Sequence, residues 1–378
     1  MEYFYLFLYI VIFVILFHVF FNIYRQRIVK FFTVKENMEI RTNIRGELGD
    51  ASSFFANMIG AVDNDEYLSV KNNKNFLSMG NIQSIEPKYA NLPIKDYCIK
   101  SAFNAATSGK KINKNMVKFA LSRGCRLLDF EVFYSKKGDN YQTVVAESTD
   151  PEFKVFDTEN SLLLRDIFST VVSNAFSGNS PNKKDPLFIH LRIKTKDTNC
   201  YKEVAKAIDS TLKSKLFEGD VTRETKLSEI MGKIVIVVDK TVHRDYKEYA
   251  KCNSNDVSCY DLSNYLNIES GSQTINLLGL TSLENQAANP PLIKDDNVST
   301  TAISSKLVLP YQKITTNPDM RKMILNYGAQ MVGYRYHLVD ENLMDCETFF
   351  NDSKGGIVPL AAAIPYFERI QRELSRKK

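Results

Sequence analysis

The sequence predicts an α/β protein, a TIM-type (β/α)8 barrel preceded by one N-terminal transmembrane helix. Short apolar or alternating runs recur from about residue 94, and helix-like stretches lie between several of them, which is the layout of a parallel barrel. The competing architecture, a doubly wound open sheet, would carry a glycine-rich phosphate turn, and none is found. The third observation is a predominantly apolar run from Tyr3 to Ile23, in which only His18 and Asn22, near one end, are polar.

That run comes first in the chain. As a helix it is about 31 Å long, enough to cross a bilayer. No basic segment precedes it and no small-residue cleavage site follows it, so an anchor fits better than a removed signal peptide. A buried core helix would not need apolar residues on every face. Arg25, Arg27 and Lys30 follow at once, whereas the other flank carries only Glu2. The expected topology is a short N-terminus outside and the remainder on the cytosolic face. Residues 24–90 read as a juxtamembrane stalk, basic at first and then mixed polar.

The expected strands are YCIKSAF (97–103), CRLLDFEVF (125–133), QTVVAES (142–148), PLFIHLRIK (186–194), KIVIVVDK (233–240), KLVLPY (306–311), QMVGYRYHL (330–338) and GIVPLAA (356–362). INKNMVKFALSRG, LLLRDIFSTVVSNAF, YKEVAKAIDSTLKSKLF and MRKMILNYG supply helices between them. Residues 246–300 are rich in Asn, Ser and Asp and read as an inserted polar loop. The chain divides into a first half barrel over 91–245, this loop, and a second half barrel with a C-terminal helix over 301–378.

Hydrophobic residues make up 44% of the chain and charged residues 25%, enough for a sizeable core. The net charge is only +5, and no basic stripe is interleaved with aromatics, which argues against a nucleic-acid partner. Six scattered cysteines offer no CxxC pair, so a structural zinc site is not expected. Cys252 and Cys259 alone stand close enough in one loop to close a small disulfide, and the expectation is that they remain thiols. Abundant Asn, Lys, Ile and Tyr point to an AT-biased genome.

Functional residues of such a barrel gather at the C-terminal ends of its strands. Asp129 and Glu131 alternate on one face of an otherwise apolar strand, where two carboxylates repel one another and lose hydration. In PLFIHLRIK the apolar residues take one face; Phe188, His190, Arg192 and Lys194 take the other. If that second face lines the interior, Arg192 neutralises Asp129 and Glu131. The alternative is a polar face exposed at the rim.

The ordered series IKSAFNAATSG, ALSRGCRLLDFEVF, DPLFIHLRIK, GKIVIVV and YGAQMVGYRY resembles phosphoinositide-specific phospholipase C, a PLC-like phosphodiesterase barrel with X and Y halves. Gly124, Cys125 and Arg126 followed by Asp129-x-Glu131 match its second-strand signature with the acids swapped. Gly328, Gln330 and Val332 match its Y-half motif. The resemblance implies two catalytic histidines and a calcium ion that stabilises phosphoryl charge. Phe103 occupies the first histidine's position, and Glu147 or a neighbour the second's. Only four histidines exist, His18, His190, His243 and His337, and none aligns with a catalytic position.

Asn104, Asp129 and Glu131 match calcium ligands, but Arg192 stands where the family has a glutamate. A divalent ion about 4 Å from a guanidinium is repelled by roughly 8 kcal/mol at an effective dielectric of 20. The implied site is therefore a former metal site of Asn104, Asp129, Glu131 and Arg192, with no cofactor and no expected catalytic residue. His190, Arg192, Lys194, Lys240 and Arg335 are candidate phosphate contacts. The expected protein is a membrane-anchored, catalytically silent scaffold with a protein partner and contact to anionic lipid. Composition and anchor together suggest a structural protein of a large DNA virus, linking an internal membrane to a protein shell. The alternative is an active metal-independent phosphodiesterase acting on phosphoinositides.

Overall fold

The computed structural model describes residues 65–76, 81–137, 139–252, 259–291, 305–311 and 314–376. The anchor expected at Tyr3–Ile23 lies outside them. Among the described residues no helix is long and apolar enough to cross a membrane.

Eight parallel strands close the barrel: β1 (Tyr97–Ala102), β2 (Leu127–Lys137), β5 (Leu187–Ile193), β6 (Ile234–Asp239), β7 (Ile268–Ser270), β8 (Ile275–Gly279), β9 (Ser305–Leu309) and β10 (Met331–Tyr334). β10 returns to pair with β1. The main crossover helices are α2 (Lys114–Ser122), α3 (Leu164–Ala175), α4 (Thr198–Thr211) and α7 (Met320–Tyr327), all within stretches that read as helical or within three residues of them. Asn113 starts α2 by accepting a hydrogen bond from the Asn115 amide, and Gly328 stops α7 in the left-handed conformation at φ 59°.

Two expected barrel strands lie elsewhere. β3 (Asn140–Val145) folds back antiparallel on β2, whose last residues run past the barrel as a hairpin arm. β11 (Ile357–Pro359) pairs antiparallel with β1 and leads into α9 (Leu360–Arg376). Their apolar alternation reports a half-buried strand but not its direction. The missing two barrel strands, β7 and β8, come from the stretch read as an inserted polar loop, which also contains the short helices α5 (Tyr246–Ala250) and α6 (Leu280–Glu284). Only residues 271–274 join β7 to β8, and Gly271 at φ 75° makes that turn; a Cβ there would lie 2.4 Å from Thr241 Cγ2. Cys252 and Cys259 form a disulfide, contrary to the expectation of free thiols.

The described part of the expected stalk packs on the barrel. α1 (Asp65–Lys71) buries Tyr67 and Val70 in the outer core, as does the following Ile82. Phe76 meets Phe119 edge-on, and Glu66 accepts hydrogen bonds from Ser108 and the Lys110 amide. Isolated apolar clusters in a polar stretch thus mark points of attachment.

Strand alternation divides the core in two. Leu187, Ile189, Leu191 and Ile193 pack outward against the helices, whereas Phe188 points inward with Leu127, Val235, Val237 and Met331. Register then sets the interior layers. Leu127 pairs with Phe188, Asp129 with His190 and Glu131 with Arg192, so the interior is apolar at its base and charged toward the C-terminal end.

Candidate functional site

At that end Arg192 is fully buried. Its Nε donates to Asp129 Oδ1 at 2.9 Å, and its Nη2 donates to Asp129 Oδ2 at 2.7 Å and to Asn104 Oδ1 at 2.5 Å. Nη1 donates to Glu131 Oε1. A guanidinium is a planar fork of five donors, and here it serves three acceptor side chains at once. The other Glu131 oxygen accepts the Ser148 amide at 3.0 Å. Asn104 stands at φ 42°, a left-handed conformation that asparagine tolerates, and its backbone N–H donates to Asp129 Oδ2 at 3.1 Å. Asn104, Asp129, Glu131 and Arg192 are therefore one hydrogen-bonded cluster.

The electrostatics follow. Burial alone would raise the Asp129 carboxyl, but Arg192, and then His190, hold it well below the usual carboxylate range. Burial works against the Arg192 charge too, and the two carboxylates more than offset it. A calcium ion does not fit this donor set. Four oxygens that would ligate it, both of Asp129, Glu131 Oε1 and Asn104 Oδ1, already accept from a cation. Calcium needs six to eight oxygen ligands, and a divalent ion among these would face the guanidinium.

Phe103, which the sequence resemblance aligns with the family's first catalytic histidine, is 2% exposed and lies against two guanidiniums. Arg192 lies 4.6 Å and Arg335 4.8 Å from its ring centre, and Tyr311 meets its edge at 6.4 Å. Arg335 also donates to Glu147 Oε1 at 2.6 Å and to the Pro310 carbonyl at 3.2 Å. Glu147 is thus held as the partner of an arginine. Phe103, Asn104, Glu131, Arg192 and Arg335 are all buried at the C-terminal end of the barrel, and Asn104 Nδ2 is left without a hydrogen-bond partner among the described residues.

The candidate phosphate contacts disperse. His190 is sealed inside, with Nδ1 2.6 Å from Asp129 and Nε2 2.7 Å from Ser270, so neither nitrogen faces a ligand. Lys240 turns away to Glu269 at 3.7 Å. Lys194 remains near the cluster, 3.9 Å from Glu131 and 4.8 Å from the Phe153 ring centre, and burial, then Arg192, lowers its pKa. Sequence reasoning missed Ser270, which belongs to a stretch taken as loop, and Tyr311. It also set aside His337, which is largely buried near Glu147 and Arg335; burial holds its pKa down and Glu147 opposes the shift.

The signature residues mostly build structure. Gly124 has φ 81°, and a Cβ there would lie 2.9 Å from Ile82 Cγ2. Arg126 is buried outside the barrel, donating to Asn182 at 2.7 Å and the Ala175 carbonyl at 3.1 Å. Gln330 accepts from the Lys306 amide and donates to the Lys95 carbonyl, both at 2.8 Å.

Residues 90–240 match the family model described as phosphatidylinositol-specific phospholipase C, X domain. The structure is similar to the crystal structure of L. pealei PLC21, with a TM-score of 0.52 at 14% identity over 71% of this chain and 37% of that one. It is similar to S. officinalis PLC21 with a TM-score of 0.50 at 15% identity, over the same 71% and 37%. The chain thus spans little more than a third of either. No curated protein sequence matches it. Residues 90–240 thus match the X domain of the phosphoinositide-specific phospholipase C family, and the closed barrel has the fold of the two similar structures.

Proposed function

We propose that this phospholipase C-family barrel is a pseudoenzyme: a catalytically silent module, tethered to a membrane through Tyr3–Ile23, that serves as a scaffold for a protein partner on the cytosolic face. The observation that carries this reading is the buried Phe103 ring lying under the guanidiniums of both Arg192 and Arg335. The resemblance aligns this residue, which has no transferable proton, with a position where the family transfers one. General acid–base groups contribute about 10²–10⁴ each, so losing both removes most of the rate. The basic flank at Arg25, Arg27 and Lys30 supports contact with anionic lipid, worth about 1 kcal/mol per residue near the surface. The AT-biased composition supports an origin in a large DNA virus, with the chain joining a membrane to a protein shell.

The test is turnover by the full chain, in neutral detergent, on phosphatidylinositol and its bisphosphate. The reading expects none above a heat-inactivated control, with or without calcium. Calcium-dependent hydrolysis would end it.

A second reading, a metal-independent phosphodiesterase, draws on His337 beside Glu147 and on Arg335 as the cation for phosphoryl charge. Turnover abolished by both Glu147→Gln and His337→Ala would favour it. His190 has no part in it, because Asp129 and Ser270 occupy both ring nitrogens.

A further inference from the structure

The β2–β3 hairpin arm encloses, with the loop after β5 and the turn after Val145, a cleft of about 610 Å³ that the barrel's charge cluster does not use. Its size lies within the range of small-molecule sites. Lys136, Lys154, Lys194 and Lys196 line it with His243, and the one carboxylate in its wall, Glu152, is paired to Lys154. Lysines therefore outnumber carboxylates in the cleft wall, and the nearest further acids, Glu131 and Asp239, act on Lys194 and His243 from outside it. Lys194, at 12% side-chain exposure, is the most enclosed of these cations, and its nearest carboxylate, Glu131, is already committed to Arg192 and the Ser148 amide. The Nε2 of His243 is buried and has no hydrogen-bond partner among the described residues.

Aromatic rings form the remaining wall. Phe133 packs on Phe156 at 4.8 Å and faces Phe153 at 6.5 Å. Phe153 sits at φ 59°, a left-handed conformation that is unfavourable for an aromatic residue. The Asp150 carboxylate holds it there by accepting the amides of Glu152, Lys154 and Val155. Ser148 ties the same turn down through its bond to the Val155 carbonyl at 2.5 Å. The wall is thus set before any ligand arrives, and preorganisation of this kind favours binding.

We infer that this cleft binds an organic phosphate, its phosphomonoester group among Lys194, Lys196 and His243 and its ring or chain against Phe153 and Phe156. A dianion with three acceptor oxygens answers several converging donors better than a single carboxylate does. Phosphorylated lipid headgroups and soluble phosphorylated alcohols share this chemistry. The site is independent of turnover at the barrel mouth, since Lys194 alone touches both.

The experiment is calorimetric titration and thermal shift of the full chain in neutral detergent at constant ionic strength. The probes are glycerol 3-phosphate, inorganic phosphate, and micelles doped with phosphatidic acid or, at equal charge, phosphatidylserine. Saturable binding of glycerol 3-phosphate supports a soluble ligand, and binding of phosphatidic acid alone supports a lipid one. In either case the Lys196→Gln/His243→Gln variant, altered at side chains with no ion pair or hydrogen bond among the described residues, should bind at least tenfold more weakly while melting normally. Lys194→Met should weaken binding further. Absence of binding to every phosphate probe, equal binding to phosphatidylserine, or unchanged affinity in the double variant would overturn the assignment.

Discussion

Arg192 grips Asp129 with two parallel hydrogen bonds, Nε to Oδ1 at 2.9 Å and Nη2 to Oδ2 at 2.7 Å, and both side chains are completely buried. A bidentate pair of this kind is specific in geometry as well as charge. Removing one member strands the other, at a cost of about 3–5 kcal/mol for a buried pair.

The pair predicts how calcium responds to substitution. Arg192→Glu gathers three carboxylates and the Asn104 amide, so the free variant should unfold at a markedly lower temperature than wild type. Millimolar calcium should restore part of that loss, by about 2.7 kcal/mol if it reaches a hundred times its Kd. Wild type should show no calcium-dependent melting. A variant indifferent to calcium in differential scanning calorimetry would mean that the cluster geometry suits an arginine and nothing else.

A second network secures β1 to the outer helices. Buried Lys100 meets Glu347 of α8 (Glu341–Asp352) at 2.7 Å, and Arg123 donates to the same carboxylate from Nε, also at 2.7 Å. Glu347→Ala leaves two cations facing an apolar layer and should lower urea stability by about 3–5 kcal/mol. Lys100→Met combined with Glu347→Leu should recover only the part that Lys100 contributes, because an apolar pair of similar volume replaces that bridge whereas Arg123 still loses the Glu347 carboxylate. Failure of the double variant to recover would assign the loss to packing around α8.

The pattern of what was legible follows from the physics of alternation. β5 alternates strictly, so inward His190 and Arg192 and the meeting of Arg192 with Asp129 and Glu131 were legible in the sequence, whereas the sealing of His190 by Asp129 and Ser270 was not. β7 and β8 were not: IES and INLLG are too short and too polar to outweigh the Asn- and Ser-rich stretch around them. β3 was taken for a barrel strand because period-two patterning does not encode strand direction. The packing of Phe103 depends on Arg335 and Tyr311, more than 200 positions away, and no local signal announces such a contact. The Lys-rich cleft was hidden for the same reason, its lysines coming from β2, the turn after β3 and the loop after β5.

Stability should vary with pH through Asp185. Burial raises this carboxyl to about 6 in the folded protein, and Arg126 only partly offsets the effect. An unfolded aspartate titrates near 4, so between about pH 4 and 6 the folded state holds the extra proton. Stability from this group is therefore greatest below pH 4 and declines as pH rises to 6. Asp185→Asn should remove that decline and stabilise the protein at neutral pH by on the order of 2–3 kcal/mol. Asp129 acts with the opposite sign: its depressed pKa contributes stability above pH 4 that disappears as pH falls. Urea midpoints measured across pH 4–7 for wild type and Asp185→Asn separate the two, and parallel curves would contradict the Asp185 assignment.

Phe103 offers the most direct measure of how firmly the barrel mouth is filled. The guanidiniums of Arg192 and Arg335 lie over its ring, 4.6 and 4.8 Å from the centre, in a buried site. Desolvated cation–π contacts are worth about 2 kcal/mol or more. Phe103→Leu keeps most of the apolar volume but removes the ring, so it should cost about 2–3 kcal/mol. Arg335→Met should cost less in that background than in wild type, and the difference, about 1 kcal/mol or more, is the coupling between ring and guanidinium. Additive losses in chemical denaturation would show that the ring serves as ordinary filling. Phe103→His, measured alongside, should give no turnover of phosphatidylinositol, because Glu147 stays committed to Arg335 and supplies no second proton-transfer group.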